Sequence, residues 1–261
     1  MMLERPDGAR LAVEIHGEGP PLLLLSGLGG TAGFWRGLLP ELAARHRVAI
    51  FDQRGVGAST RGTAPVTIQT LAEDAAAVAA LLGEGPVALV GHSTGAAMVM
   101  TMQAQRMLPV SRLVLSAGWL RADHYLRALF TMRLAILQRA GYAAYEMVGR
   151  FLAYPPMELA ASANLGAPDP LPPEREAEET RRWAERIQAL LAFDGTALAP
   201  RVSAPTLVLG TPDDVIVPYH HQKETAAAVP GAMMATIDGG GHFYPLTRRE
   251  ALLGKLLPFL T

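Results

Sequence analysis

Ser93 lies in the pentapeptide Gly91-His92-Ser93-Thr94-Gly95. The apolar run Val87-Ala88-Leu89-Val90 precedes it, and Ala96-Ala97-Met98 follows it. Strand, tight turn and helix is the context in which Gly-x-Ser-x-Gly presents a nucleophile. So sharp a turn strains the serine backbone and makes its hydroxyl stand proud of the strand ends. A Cβ at either flanking glycine would collide across it. The hydroxyl alone is a weak nucleophile. It needs a base to take its proton and a third group to orient that base and stabilise its charge.

The sequence offers both late in the chain. Gly239-Gly240-Gly241-His242-Phe243 follows the apolar stretch Ala232 to Ile237, and His242 is the only one of seven histidines in a glycine-rich loop after a late strand. It is the candidate base. His16 and His46 read as surface residues, and His124 falls in a helical stretch. His220 and His221 open a helix, where a solvated or capping role is expected. Adjacent histidines on a helix point apart and no third ligand is evident, so no metal site is expected there. The candidate acid lies in Gly210-Thr211-Pro212-Asp213-Asp214-Val215-Ile216-Val217-Pro218, after the strand Thr206 to Leu209. Asp214, four residues before Pro218, is favoured over Asp213, which is then a surface turn residue.

Attack of a hydroxyl on a carbonyl creates an oxyanion that needs two preorganised N–H donors. Thr94, next to the nucleophile, offers one. Leu28, in the loop Ser26-Gly27-Leu28-Gly29-Gly30, offers the other. His92 is not expected to react; its side chain packs under the turn or faces the pocket edge. The Asp52-Gln53-Arg54-Gly55 loop lacks the Gly-x-x-x-x-Gly-Lys pattern of a phosphate loop and reads as scaffold, with Arg54 paired internally.

The elements that must position these residues alternate. Strands are expected at Leu11–His16, Pro21–Leu25, Arg47–Phe51, Val87–Val90 and Leu113–Ser116. Helices are expected at Phe34–Arg45, Ile68–Leu82 and Gly95–Arg106. This rhythm implies a parallel sheet flanked by helices. From about residue 119 to 200 no strand is evident. Leu120–Ala140, Ala143–Leu152 and Glu174–Phe193 read as helices, separated by Pro155-Pro156 and a proline-rich loop from Pro168 to Pro173. The α/β rhythm then resumes with Thr206–Leu209, His220–Val229, Ala232–Ile237 and Thr247–Leu260. The expected organisation is therefore an α/β core of residues 1–118 and 201–261, with a helical cap of residues 119–200 inserted into it. Trp119, Phe151, Tyr154 and Trp183 lie in or beside that segment. Either they line a substrate pocket or they form the segment's own core.

Bulk properties narrow the function classes. The chain has 261 residues, half of them hydrophobic, and a net charge of −1 with no long run of one sign. Nucleic acid and acidic membranes are poor partners for such a surface. The absence of cysteine excludes disulfides, thiolate metal sites and a cysteine nucleophile. No apolar segment of signal-peptide length opens the chain, and none reaches the ~18 residues of a membrane span. The expectation is a cytoplasmic protein acting on a small molecule, without cofactor or metal; a homodimer is left open.

Ser-Gly-Leu-Gly-Gly, Phe-Asp-Gln-Arg-Gly-Val-Gly-Ala-Ser, Gly-His-Ser-Thr-Gly, Asp-Asp-Val-Ile-Val-Pro and Gly-Gly-His, in this order, resemble the α/β-hydrolase fold family. Leu25–Gly30, Asp52-Gln53-Arg54-Gly55, Gly118-Trp119-Leu120-Arg121 and Tyr154-Pro155 are similar to features of the aminoacrylate hydrolases of the Rut pyrimidine-degradation pathway. The 3-oxoadipate enol-lactonases are the other similar group. The resemblance implies a mostly parallel sheet with a helical cap after its sixth strand. It implies serine hydrolysis of a small ester, lactone, amide or carbamate-like substrate by Ser93, Asp214 and His242, with Leu28 and Thr94 as the oxyanion hole. Perhydrolysis or C–C hydrolysis would use the same triad, and a receptor-like member would bind its ligand without turnover.

Overall fold

The structure, a computed structural model, describes residues 1–162, 169 and 171–261. Eight strands form one sheet: β1 (Met2–Glu4), β2 (Arg10–His16), β3 (Pro21–Leu25), β4 (Arg47–Phe51), β5 (Val87–His92), β6 (Val110–Ser116), β7 (Thr206–Gly210) and β8 (Met233–Thr236). Their order is β1-β2-β4-β3-β5-β6-β7-β8. The β1–β2 and β2–β4 pairs are antiparallel; from β4 to β8 every pair is parallel. Strand β3 buries Leu23 and Leu25 on one face and Leu22 and Leu24 on the other. A strand covered on both faces is a continuous apolar run, which is why it is legible in the sequence. The three-residue β1 at the sheet edge carries no such signal.

Strand β3 lies between β4 and β5. The chain leaves β3 for β4 on one side, then crosses back to β5 on the other. Loops leaving the C-terminal ends of β3 and β5 therefore diverge, and a crevice opens between them. The loop after β3 is Ser26–Gly30, and the turn after β5 holds Ser93.

Helices cover both faces. A 3-10 helix (Ala32–Leu38), α1 (Leu39–Ala43), α8 (Tyr244–Thr247) and α9 (Arg249–Leu260) bury Trp35, Leu38, Leu42, Tyr244, Leu252 and Leu256 against one face. The single helix expected over Phe34–Arg45 is two pieces, because Pro40 lacks an N–H and fits only the first turn of an α-helix. On the other face lie α2 (Ile68–Ala80) and α3 (Thr94–Ala104), the latter buried at every residue.

Between β6 and β7 come α4 (His124–Ala153), α5 (Pro156–Ala161) and α6 (Pro173–Ala192). The two helices expected over Leu120–Leu152 are the two halves of α4, separated at Gly141, whose φ of 85° and ψ of 175° are not helical. Of the proline-rich stretch, Pro168 and Pro170 lie outside the described residues, and Pro173 already begins α6. Leu126, Phe130, Leu137, Trp183, Ile187 and Leu190 of α4 and α6 join the same core cluster as Leu113 and Leu115 of β6. The helical segment thus shares the sheet's core. Helix α7 (His220–Ala228) follows β7.

The loop after β4 is held by an ion-pair network. Arg54, 3% exposed, donates from Nε and Nη2 to both oxygens of buried Asp74 (2.6 and 2.8 Å) and from Nη1 to Asp7 (2.7 Å). Truncating Arg54 leaves the buried Asp74 carboxylate with only the partly exposed Arg5, whose Nε lies 2.8 Å from Oδ1, of the two cations that hold it. Arg54→Met should therefore lower unfolding free energy by about 3 kcal/mol in urea denaturation. The hydrogen bond from Arg54, then that from the Ala64 N–H, holds the Asp7 carboxyl well below its usual range. A depressed carboxylate stabilises the fold above its unfolded pKa, about 4, and loses that contribution as pH falls towards the folded value. The stability difference between wild type and Asp7→Asn should thus be larger at pH 7 than at pH 3, measured as urea midpoints.

Candidate active site

Strand β5 runs through His92 directly into the turn at Ser93, and α3 begins at Thr94. Ser93 has φ 55° and ψ −120°, one of three non-glycine residues with positive φ among those described. Such a backbone is strained for an L-residue and persists only where its surroundings impose it. Here Ser93 N–H donates to the Ser116 carbonyl (2.7 Å), and the Ser93 carbonyl accepts from Ala96 N–H (2.8 Å). The turn closes only around hydrogen at the flanking positions. A Cβ on Gly91 would lie 2.2 Å from the Gly95 carbonyl oxygen, and one on Gly95 would lie 2.3 Å from that of Leu25.

His242 follows Gly239, Gly240 and Gly241, whose φ values of 66°, 106° and 64° put three consecutive residues where side chains are disfavoured. This coil turns the chain from β8 back over the sheet edge. His242 Nδ1 donates to Asp214 Oδ2 at 2.8 Å, and both residues are buried. The other carboxylate oxygen of Asp214 accepts from Ile216 and Val217 N–H (2.8 and 2.9 Å). Asp213 does something different. Though exposed, it accepts from Gly240 and Gly241 N–H (3.0 and 3.1 Å) and from Thr211 Oγ1 (2.7 Å). Adjacent aspartates thus hold the histidine and the loop that carries it.

Ser93 and His242 line one cavity of about 380 Å³ with Ser26–Thr31, Phe34, Phe130, Trp183, Ile216 and Phe243. That is the size of a small-molecule site. Helices α4 and α6 add Arg133, Glu146, Arg150 and Arg182 to the lining. Burial raises the Glu146 carboxyl above its ordinary range. His92 lies beneath the elbow, 1% exposed, stacked on Phe34 with centroids 5.0 Å from the His242 ring. Its Nδ1 is hydrogen-bonded to Ser116 Oγ (2.9 Å), which in turn meets the buried Tyr244 hydroxyl. Burial, then the His242 charge, keeps the His92 imidazole well below its ordinary pKa, so it is neutral near pH 7.

The loop after β3 is supported from an unexpected direction. Gln53 Nε2 donates to the Ser26 carbonyl (2.9 Å), and Arg186 Nε of α6 donates to the Leu28 carbonyl (2.6 Å). Arg186 Nη2 also donates to Gln53 Oε1. Arg186 is 2% exposed and is paired with no carboxylate among the described residues. Burial, then the neighbouring Arg182, pushes it down to about 10, still cationic at neutral pH. Gly27 lies against Ser93: a Cβ there would be 3.0 Å from Ser93 Cβ. Gln53 lies in the loop read from the sequence as scaffold, and Arg186 reads there as one more charge on a charged helix, although it sits on that helix's buried face.

Of the aromatics weighed from the sequence, Trp183 lines the cavity. Trp119 does not: it is 1% exposed and meets Phe193 edge-on in the core. Phe151 points to solvent, 58% exposed. Tyr154 sets its edge against Phe243, and the adjacent Ala153 carbonyl accepts from Phe243 N–H (3.0 Å), so the end of α4 props the histidine loop. His46 is not a surface residue; it is 3% exposed with Nδ1 3.3 Å from the Leu42 carbonyl. His220 and His221 do not point apart. Their rings lie 4.2 Å from each other, drawn together by Asp123 at the start of α4.

A mostly parallel sheet with a strained strand–turn–helix serine at its switch point is the architecture of the α/β hydrolases. Residues 22–254 match the Alpha/beta hydrolase family, and the chain belongs to it. A provisionally named carbamate hydrolase RutD from Azorhizobium caulinodans is 35% identical over 251 residues, covering 96% of this chain and 95% of that one. A hydrolase from Pseudomonas aeruginosa PA01 superposes with a TM-score of 0.86 at 26% identity, over 100% of this chain and 97% of the other. The enol-lactonase of Burkholderia xenovorans LB400 shares the fold, with a TM-score of 0.83 at 21% identity over 97% and 96% of the chains. No helix among the described residues is long and apolar enough to cross a membrane.

Proposed function

We propose that this protein is a serine hydrolase that cleaves a small carbonyl substrate through an acyl-enzyme. The Asp214–His242 hydrogen bond, in a cavity shared with the strained Ser93, carries this reading. His242 takes the Ser93 hydroxyl proton through Nε2 as Oγ bonds to the carbonyl carbon. The proton passes to the leaving group as its bond to that carbon breaks. A water then gives a proton to His242 and attacks the acyl carbon, and His242 returns that proton to Ser93 Oγ as the bond from Oγ to the acyl carbon breaks. Asp214 fixes the tautomer that leaves Nε2 as acceptor and stabilises the imidazolium. Leu28 and Thr94 N–H groups bind the oxyanion, Thr94 from the first turn of α3, where helix N–H groups lack helical partners. The helical segment from α4 to α6 acts as the cap over this site.

The substrate class is a carbamate or a related small ester or amide. The name of the A. caulinodans relative supports the carbamate, and the cavity supports small size. Arg133, Arg150 and Arg182 line it against the carboxylate Glu146; with Arg182 paired to Glu179, the positive excess that remains favours a substrate with an anionic group. A serine-directed fluorophosphonate tests the chemistry. One adduct on the peptide holding Ser93, absent from Ser93→Ala, is the expected mass spectrum. A folded protein left unlabelled overturns the reading. A panel of carbamates, esters, lactones and amides then ranks substrates by kcat/KM.

Arg186 acts through the Leu28 backbone. Arg186→Met would leave the Leu28 carbonyl and Gln53 Oε1 without their donor and free the loop to turn. We expect kcat to fall about 10- to 100-fold with KM little changed, since a mispositioned donor is felt mostly in the transition state. Arg186→Lys should recover part of the loss. Equal effects on kcat and KM, with no rescue, would mean that the residue only packs the cap.

A further inference from the structure

Outside the cavity, one cluster of metal-ligating side chains stands out among the described residues: Asp123, His220 and His221, each offering one ligand atom, all within 4.8 Å of one another. Asp123 is the N-cap of α4 and already uses Oδ1 to accept from Leu126 N–H (2.8 Å). Its Oδ2 lies 3.0 Å from His220 Nε2 and 3.4 Å from His221 Nε2. His221 is 1% exposed, yet neither ring nitrogen has a hydrogen-bond partner; the nearest group to Nδ1 is Glu224 at 3.8 Å. A buried imidazole held 3.4 Å from a shared carboxylate, outside good hydrogen-bond geometry, is under-satisfied for a purely structural contact. Metal–ligand bonds of about 2.0–2.1 Å at tetrahedral angles set ligand atoms roughly 3.3 Å apart, close to the two spacings seen.

We infer that Asp123, His220 and His221 form a binding site for one divalent transition-metal ion of the Zn2+ type, joining the start of α4 to α7. Two imidazoles and one carboxylate suit zinc, and the half-exposed side of His220 leaves a fourth position to water. The site adjoins the loop of Asp214: His220 comes two residues after Pro218, and Tyr125, two residues after Asp123, donates its hydroxyl to the Val215 carbonyl (2.5 Å), beside Asp214. A metal here would pin the first turn of α4 to α7 next to the acid loop.

Tag-free, chelator-treated protein should bind one equivalent of Zn2+ in competition with a chromophoric zinc indicator. Co2+ should give the intense visible bands of a four-coordinate site. His220→Ala and His221→Ala should each weaken Zn2+ binding at least tenfold, while His16→Ala, at a distant histidine, should not. Zn2+ should raise the melting temperature of the wild type and not of the double variant. Asp123→Asn, which keeps a capping oxygen, checks the third ligand without removing the cap. No bound equivalent in folded wild type, or affinity unchanged in both histidine variants, overturns the site. Because these readouts do not use hydrolysis, they stand or fall apart from the proposed reaction.

Discussion

Ser93→Ala should lower kcat/KM by about 10^4- to 10^6-fold and leave the fold intact. Alanine removes only Oγ. The backbone bonds that hold the elbow, from Ser93 N–H to Ser116 and from Ala96 N–H to the Ser93 carbonyl, remain. Melting temperature should therefore stay within a few degrees of wild type. His242→Ala should cost a similar factor, because without a base the hydroxyl keeps its proton. Asp214→Asn should cost about 10^4-fold: asparagine can still sit between Ile216, Val217 and His242, but its amide favours the wrong tautomer. The three losses should not add. A double Ser93→Ala, His242→Ala variant should be no slower than either single one, because the residues act as a unit. Residual activity near the wild-type value in Ser93→Ala, on the substrate ranked best in the panel, would show that another group attacks.

Gly95→Ala carries the largest expected effect on stability. Its Cβ would sit 2.3 Å from the Leu25 carbonyl oxygen, 2.8 Å from the Leu25 carbonyl carbon and 2.9 Å from the Ser26 carbonyl oxygen. These are backbone atoms of the last residue of the central strand β3 and the first residue of the loop after it, and they cannot swing aside as a flexible side chain does. Either β3 or α3 must move, and every residue of α3 is buried. We expect a loss of about 4 kcal/mol or more, which for a chain of this size is a melting temperature roughly 10 °C lower. Any folded fraction should also be a poor enzyme, because Leu25 leads directly into the loop that presents Leu28. Gly254→Ala serves as the control: nothing lies within 4 Å of the position a Cβ would take. Equal stability of Gly95→Ala and wild type would show that the elbow is looser than its contacts imply.

Much of this site is legible in the sequence because its parts are local backbone requirements. The Gly91 to Gly95 turn, the Gly239–Gly241 coil before His242 and the buried runs of β3 and β5 each announce themselves within a few residues. Helix boundaries are blurrier where one residue decides them, as at Pro40, which splits the helix expected over Phe34–Arg45. The short edge strand β1 has no buried face to leave a pattern.

The sequence by itself determined the order of strands and helices, the elbow serine, the late histidine and a pair of adjacent aspartates. Steric limits and hydrophobic periodicity act over short spans, and they leave the same mark whatever the rest of the chain does. Only the tertiary structure separated Asp214, which meets His242, from Asp213, which holds the glycines before it. It also decided that Arg186 steadies Leu28 across 158 residues, that Trp183 lines the cavity while Trp119 fills the core, and that Asp123 gathers His220 and His221. Those outcomes depend on which side chains the packed helices bring face to face. No local pattern encodes that, because the partners lie far apart along the chain and either one alone looks like an ordinary residue of its kind.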